Sequence, residues 1–160
     1  MFHARRAFTL GLMTLAALAL ADPAVADPLI PHTERADGQL TNVVDPDPTT
    51  GLGGRMDFVG NGWASQFGKY TQVGGHDFDA FGNLAGAFTS TAADGATISG
   101  IYSGIFFPIG DGFFQFNVNA EWLVGTGRLQ GVTGVGEVVA ILDAETGMFH
   151  YVTDGEWSLP

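Results

Sequence analysis

The amino-acid sequence predicts an all-β protein, folded as a closed antiparallel up-and-down β-barrel. From Arg55 onward, glycine interrupts the chain every few residues, which leaves little room for a helix. Residues 113–124 alternate between apolar and polar side chains, as a half-buried strand does. Asp-Gly pairs at 94–95 and 111–112 favour tight hairpin turns. A meander of such hairpins removes its exposed edges most simply by closing into a barrel.

The chain begins with a predicted signal peptide, residues 1–26. Arg5 and Arg6 precede an uncharged apolar run, 7–21, which is shorter than the roughly 20 residues that cross a bilayer as a helix. Residues 24–26, Ala-Val-Ala, fit a small-residue cleavage site, and a membrane-anchoring helix is the alternative. Cleavage near Ala26 predicts a secreted or periplasmic protein, exported by the general secretory or the twin-arginine route.

Residues 27–54 are predicted to form a flexible leader. They contain four prolines and show no sustained hydrophobic periodicity, although a short strand at 40–44 fits the pattern. The barrel domain is therefore predicted to span residues 55–160.

The strands of this domain are predicted from short apolar stretches bounded by turn residues. Gly100 and Gly104 share a predicted face with Tyr102, at positions where a sheet can bend sharply to close. We expect strands at 56–60, 63–73, 84–92, 96–107, 113–124, 135–142 and 147–153.

Composition excludes several classes of function. The chain has 6 Lys and Arg residues against 17 Asp and Glu residues, a net charge of −11, so it lacks the basic face that nucleic acid or an anionic membrane surface requires. It contains no cysteine, which excludes disulfides and thiolate chemistry.

The glycine-rich stretch GTGRLQGVTG, residues 125–134, is predicted to be a structural passage between two strands. Counting from Gly125, the sixth position is Gln130, where the dinucleotide-binding fingerprint needs glycine. The Gly-Lys-Ser/Thr of a phosphate-binding loop is absent as well, since Lys69 is the single lysine of the chain. We therefore predict no nucleotide and no other cofactor.

The same stretch, extended to GTGRLQGVTGVGE, resembles the glycine-rich segment of the allene oxide cyclase and dirigent protein families. Residues 87–104, AFTSTAADGATISGIYSG, and residues 64–75, ASQFGKYTQVGG, are similar to hairpin and strand segments of small secreted bacterial relatives. The resemblance covers about 55–157 and implies an eight-stranded calycin-like barrel with a central cavity, often trimeric. Leu129 and Val132 depart from the family pattern, and no catalytic residue of the family maps onto this chain.

Residue types that bind metals or act as nucleophiles are present but scattered. The loop 77–83, DFDAFGN, resembles the start of a calcium loop, yet Phe81 replaces an oxygen ligand, so an ordinary acidic turn is predicted. Ser103 lies outside any nucleophile-elbow motif and is predicted to be a strand residue. The histidines of the mature chain are too dispersed to predict a metal site: His32, His76 and His150.

Two glutamates are candidate general acids. Glu121 and Glu137 would gain a raised pKa if their strand faces lined a dry cavity, and the alternative is that they lie on a solvated outer face. The aromatic central hairpin and one nearby cation supply candidate ligand-binding residues: Tyr102, Phe106, Phe116, Trp122 and Arg128. For Arg128 a structural ion pair is the competing interpretation.

Three functions remain open at this point. The first is a non-catalytic barrel that binds a small hydrophobic molecule in its lumen. The second is a cofactor-independent cyclase, isomerase or stereochemistry-guiding protein, which requires Glu121 or Glu137 inside the cavity. The third is a structural homo-oligomer whose lumen is filled with side chains.

Overall fold

The computed structural model describes residues 28–160, so the predicted signal peptide, 1–26, lies outside the described residues. The described chain forms a closed barrel in which each strand pairs antiparallel with the next and the last pairs with the first. This confirms the predicted fold class. The strands are β1 Leu29–Val44, β2 Gly54–Ala64, β3 Gly68–Phe78, β4 Asn83–Ala92, β5 Thr97–Gly110, β6 Phe113–Gly125, β7 Thr133–Asp143 and β8 Met148–Ser158.

The predicted flexible leader is wrong over most of its length. Residues 29–44 form β1, which pairs with β2 on one side and β8 on the other, and so closes the barrel. Pro31 lies where β1 pairs with β8 but not yet with β2, a position that suits a residue without an N–H group. The other prolines of the segment lie outside the strand.

One predicted strand boundary is also wrong. The strand predicted at 63–73 is interrupted by a turn at 65–67, and β3 continues to Phe78. Gly68 adopts a φ of +74°, which lets the chain reverse there. As a result His76, which falls between the strands predicted at 63–73 and 84–92, lies on β3.

The alternation predicted for residues 113–124 is confirmed in β6. Phe116, Val118, Ala120 and Trp122 are buried in the barrel interior, while the polar residues between them are outside or only partly covered. Gly38 on β1 shows how closely the interior is packed, because a Cβ atom there would collide with the Phe149 ring and the Val59 carbonyl oxygen.

One end of the barrel, called here the closed end, is formed by the turns at 65–67, 93–96 and 126–132. Its plug is a set of buried apolar side chains: Phe67, Leu129, Val132 and Trp157. The stretch 125–134 makes a single 3₁₀ turn, Gly127–Leu129, between β6 and β7. Gly127 and Gly131 adopt φ values of +59° and +84°, so the glycines serve the chain reversal that the sequence predicted.

The opposite end, called here the phenylalanine end, lies beside the turns at 45–53, 79–82, 111–112 and 144–147. Aromatic rings pack there in edge-to-face and stacked pairs, such as Phe58 with Phe149 at 5.5 Å and Phe106 with Phe116 at 5.2 Å between ring centroids. Phe58, Phe106, Phe114 and Phe149 stay partly exposed, whereas the plug residues of the closed end are buried.

Candidate functional site

A cavity of about 100 Å³ lies inside the barrel, between the closed end and the phenylalanine end. Much of its wall is apolar, formed by residues that include Phe88, Phe116, Trp122, Val138 and Ala140. Six polar side chains also line it: Glu34, Gln72, His76, Tyr102, Tyr151 and Thr153. The lumen is therefore not filled by its own side chains.

The strand alternation shows that this space is internal. Val138 and Ala140 point inward between the outward-facing Glu137, Val139 and Ile141, yet they keep accessible surface. That surface faces the cavity, because their strand face is the inner one.

The first polar group in the cavity wall is centred on Glu34. Its side chain is 3% exposed, and β1 places it directly across from Thr153 on β8. Among residues 28–160, Glu34 Oε1 and Thr153 Oγ1 have no hydrogen-bond partner. His32 Nε2 is the nearest cationic candidate, but it lies 3.8 Å from Glu34 Oε1, beyond hydrogen-bond length.

A chain of hydrogen bonds runs beside this carboxyl group. The Tyr70 and Tyr151 hydroxyls are 2.6 Å apart, Tyr151 donates to Gln72 Oε1 at 3.1 Å, and Gln72 Nε2 donates to Ser90 Oγ at 3.1 Å. Since Tyr151 uses its proton on Gln72, Tyr70 donates to Tyr151. Burial, and then the negative charge of Glu34, raise the pKa of Tyr70 and of Tyr151 well above the ordinary value, so both remain phenols.

The second polar group is a pair formed by His76 and Tyr102. The His76 Nδ1 atom lies 2.9 Å from the Tyr102 hydroxyl, and His76 Nε2 has no hydrogen-bond partner in the described part of the chain. Burial, helped by the charge of Arg55, lowers the pKa of His76 to about 4, so the ring is neutral at pH 7. Burial also raises the pKa of Tyr102.

The structure brings together three of the five predicted ligand-binding residues. Tyr102, Phe116 and Trp122 line the cavity. Phe106 is on the same inner face but packs between Phe78 and Phe116 at the phenylalanine end.

Arg128, the fifth predicted ligand residue, lies at the closed end on the barrel surface. Its guanidinium donates to Asp94 Oδ2 at 2.6 Å and to the carbonyl oxygens of Gln66 and Phe67 at 3.1 and 2.9 Å. It thus joins three turns and acts as a structural ion-pair partner, the alternative interpretation drawn from the sequence.

The two predicted general acids do not face the cavity. Glu121 and Glu137 are exposed on the outer face of β6 and β7, because their neighbours Trp122 and Val138 point inward. The condition that the sequence analysis set for catalysis by either glutamate is therefore not met.

The carboxyl group that does face the cavity, Glu34, comes from the segment predicted to be a flexible leader. The period-two pattern of a strand was present in the sequence. The inward-facing residues of β1 lie at every second position: His32, Glu34, Ala36, Gly38 and Leu40. The pattern was missed because the inward set begins with two polar residues, which obscures the apolar–polar contrast on which strand prediction depends.

The loop at 77–83 is an acidic turn. Asp79 accepts hydrogen bonds from the backbone N–H groups of Phe81 and Asn83 and from Asn83 Nδ2, all at 2.8 to 2.9 Å. Within residues 28–160, no cluster of three or more His, Asp or Glu side chains is placed to hold a metal ion. The same residues include no helix of the length and apolarity that a membrane crossing needs.

The fold and site together define an eight-stranded barrel with a small, mostly apolar internal cavity. No protein-family model, curated protein or solved structure matched the chain when it was compared with them. The resemblance to allene oxide cyclases and dirigent proteins stays a prediction.

Proposed function

We propose that this protein binds one small hydrophobic molecule in the barrel lumen. The observation that carries the proposal is the cavity of about 100 Å³, whose wall combines aromatic and aliphatic side chains with buried polar atoms that lack partners. A buried polar atom without a partner costs about 1–3 kcal/mol, and a ligand that satisfies it offsets this cost. Binding therefore stabilises the folded barrel.

The cavity volume limits the size of the ligand. A cavity of roughly 150 Å³ accommodates benzene, whereas drug-sized ligands occupy roughly 300–1,000 Å³. At about 100 Å³, the lumen is smaller than the benzene-binding cavity, so a single ring or a short branched chain is the largest ligand expected, it requires the Phe58 and Phe149 rings to move aside, and a long lipid does not fit.

We place ligand access at the phenylalanine end. The closed end is plugged by Trp157 and Leu129, at 0% and 3% exposure, and its turns are joined by Arg128. At the phenylalanine end, Phe58 and Phe149 line the cavity and are partly exposed, so rotation of these side chains would open a path.

The export signal predicted from the sequence places this binding in the periplasm or outside the cell. The trimer that the family resemblance implies forms part of the same proposal, and the mass of the purified chain in sedimentation experiments tests it. A cyclase or isomerase that relies on Glu121 or Glu137 is not favoured, because both side chains are outside the lumen.

Calorimetric titration with toluene, an apolar probe of suitable size, tests the proposal. Wild-type protein should bind one toluene per chain, and Ala140→Leu, which extends a side chain into the cavity, should weaken binding by tenfold or more. Ala87→Leu makes the same change on the outer face of β4 and should bind like wild type. Equal binding by Ala140→Leu would contradict the proposal, and so would failure of the wild type to bind either toluene or any toluene-sized molecule with a polar head.

A further inference from the structure

We infer that the ligand of this cavity carries a hydrogen-bond donor head, a hydroxyl or an amine, and no negative charge. This inference rests on the proposed binding function and specifies its ligand class. It depends on three observations: an acceptor pair in the wall, the location of the cations, and the aromatic side chains that surround the remaining space.

The acceptor pair is formed by Glu34 and Thr153. The two residues face each other on adjacent strands, and both are at most 5% exposed. Glu34 and Thr153 line the lumen, and Glu34 Oε1 and Thr153 Oγ1 are buried in its wall without a hydrogen-bond partner among residues 28–160. A carboxylate accepts hydrogen bonds and a threonine hydroxyl both donates and accepts, so an O–H or N–H group satisfies both atoms.

The rival explanation is that His32 satisfies Glu34 within the protein. The Nδ1 atom of His32 lies 2.7 Å from Gln66 Oε1, and its Nε2 atom stays 3.8 Å from Glu34 Oε1. His32 Nε2 and Glu34 Oε1 are both left without a hydrogen bond. The need for a donor at Glu34 therefore persists.

The cations of the described chain all lie outside the lumen. Arg55 pairs with Asp57 and Asp77 on the outer face, and Arg128 pairs with Asp94 at the closed end. Arg35 lies over the outward-facing Trp63 ring, and Lys69 is exposed. An anionic ligand would thus be buried beside a carboxyl group with no cationic side chain to pair with, which is strongly unfavourable.

The aromatic side chains of the cavity wall also favour a ligand with a positively charged head. Phe88, Phe116 and Trp122 surround the cavity, and the face of an aromatic ring attracts an ammonium group. Two buried nitrogen atoms of lining residues also lack a partner among residues 28–160, His76 Nε2 and Trp122 Nε1. The indole N–H of Trp122 only donates, and the oxygen of a hydroxyl head can accept from it while its O–H donates to Glu34. A neutral alcohol and a protonated amine share the chemistry that the cavity recognises, whereas a carboxylate does not.

Four probes of similar size separate these heads at pH 7: toluene without a head, benzyl alcohol, protonated benzylamine and benzoate. We expect at least one of the two donor probes to bind tenfold or more tightly than toluene, and benzoate to bind more weakly than toluene. If toluene binds as well as both donors, or benzoate binds more tightly than toluene, the inference is wrong while the proposed function stands. If none of the probes binds, the proposed function itself fails.

Glu34→Gln tests the residue responsible. It should reduce the advantage of the favoured donor over toluene by fivefold or more, taken as the ratio of the two affinities within the variant, and measurable toluene binding shows that the variant retains its cavity. Glu121→Gln makes the same chemical change on the outer face and should retain the wild-type preference. An unchanged donor preference in Glu34→Gln would overturn the assignment. If Glu34→Gln fails to fold, Thr153→Val is measured with the same probes and the same criterion.

Discussion

The polar side chains that point into the barrel give its interior its chemical character. Glu34, His76 and Thr153 are each at most 5% exposed and each present an unpartnered atom. Tyr102, Phe116 and Trp122, which sequence patterning selected as aromatic residues that alternate with others, line the cavity, and their role in ligand binding stays a prediction. Sequence patterning missed Glu34, His76 and Thr153 because a polar residue on an inner face resembles a loop or an outer-face residue until its strand neighbours are known.

The burial of His76 makes stability depend on pH in a defined range. Its pKa is lowered to about 4 in the folded protein, below the ordinary value of 6.5, so between these values the unfolded chain binds a proton that the folded chain does not. The folded protein therefore has its full stability above pH 6.5. As the pH falls from 6.5 toward 4, protonation of His76 in the unfolded chain lowers the free energy of unfolding by roughly 3 kcal/mol.

Urea denaturation of the wild type and of His76→Gln between pH 4 and 7 measures this dependence. The variant should lose the part of the slope that His76 supplies, while the slopes caused by surface carboxylates remain. Parallel curves for the two proteins would show that His76 does not titrate as the structure requires.

The three tyrosines of the chain should resist ionisation. Burial raises the pKa of Tyr70, Tyr102 and Tyr151 above 10, so the folded chain keeps protons that the unfolded chain releases. Stability is therefore lost as the pH rises above 10. In a spectrophotometric titration, tyrosinate absorbance should appear together with loss of the far-ultraviolet strand signal. A folded protein with ionised tyrosines at pH 10 would contradict this.

Strand β1 is the element on which the site depends, since it closes the barrel and supplies Glu34. Its prediction as a flexible leader was wrong because prolines flank β1 at both ends, and because strand pairing, which depends on the whole sheet, overrides weak local patterning. In contrast, β6 was correctly predicted because every second residue of that strand is apolar.

Gly38→Val tests the inward face of β1. The added side chain would meet the Phe149 ring and the Val59 carbonyl oxygen, so unfolding free energy should fall by about 2–3 kcal/mol. Gln39→Val places the same side chain on the exposed face of the same strand and should change stability by less than about 0.5 kcal/mol. Equal stabilities in denaturant titration would mean that β1 is not packed as described.

Arg128 joins the turns of the closed end, and its removal should loosen them. Arg128→Ala loses hydrogen bonds to Asp94, Gln66 and Phe67, and because the group is half exposed we expect a cost of about 1 kcal/mol. Toluene affinity should not change, since Arg128 does not line the cavity. Lys69→Ala, at an exposed residue of β3, serves as the control for removal of a positive charge.

For the whole molecule, the antiparallel barrel could be predicted from turn chemistry and alternation. Whether side chains fill the lumen could not be predicted, because the free volume depends on which residues of the eight strands lie opposite one another at each level of the barrel. Gly100 and Gly136 point inward, where an added Cβ atom would meet the Phe88 and Trp122 rings respectively, and the sequence does not reveal which rings lie opposite them. Only the strand register determines which rings lie opposite these two glycines.

Ligand binding inside the lumen is tested most directly by nuclear magnetic resonance. The measurement detects intermolecular nuclear Overhauser effects between toluene and the methyl groups of β7 and β8. Toluene bound in the lumen should contact Val138 and Ala140, which face the lumen. It should not contact Val139 and Val152, which face outward. Contacts to the outward methyl groups, or the absence of contacts to Val138 and Ala140 at saturating toluene, would contradict ligand binding inside the lumen.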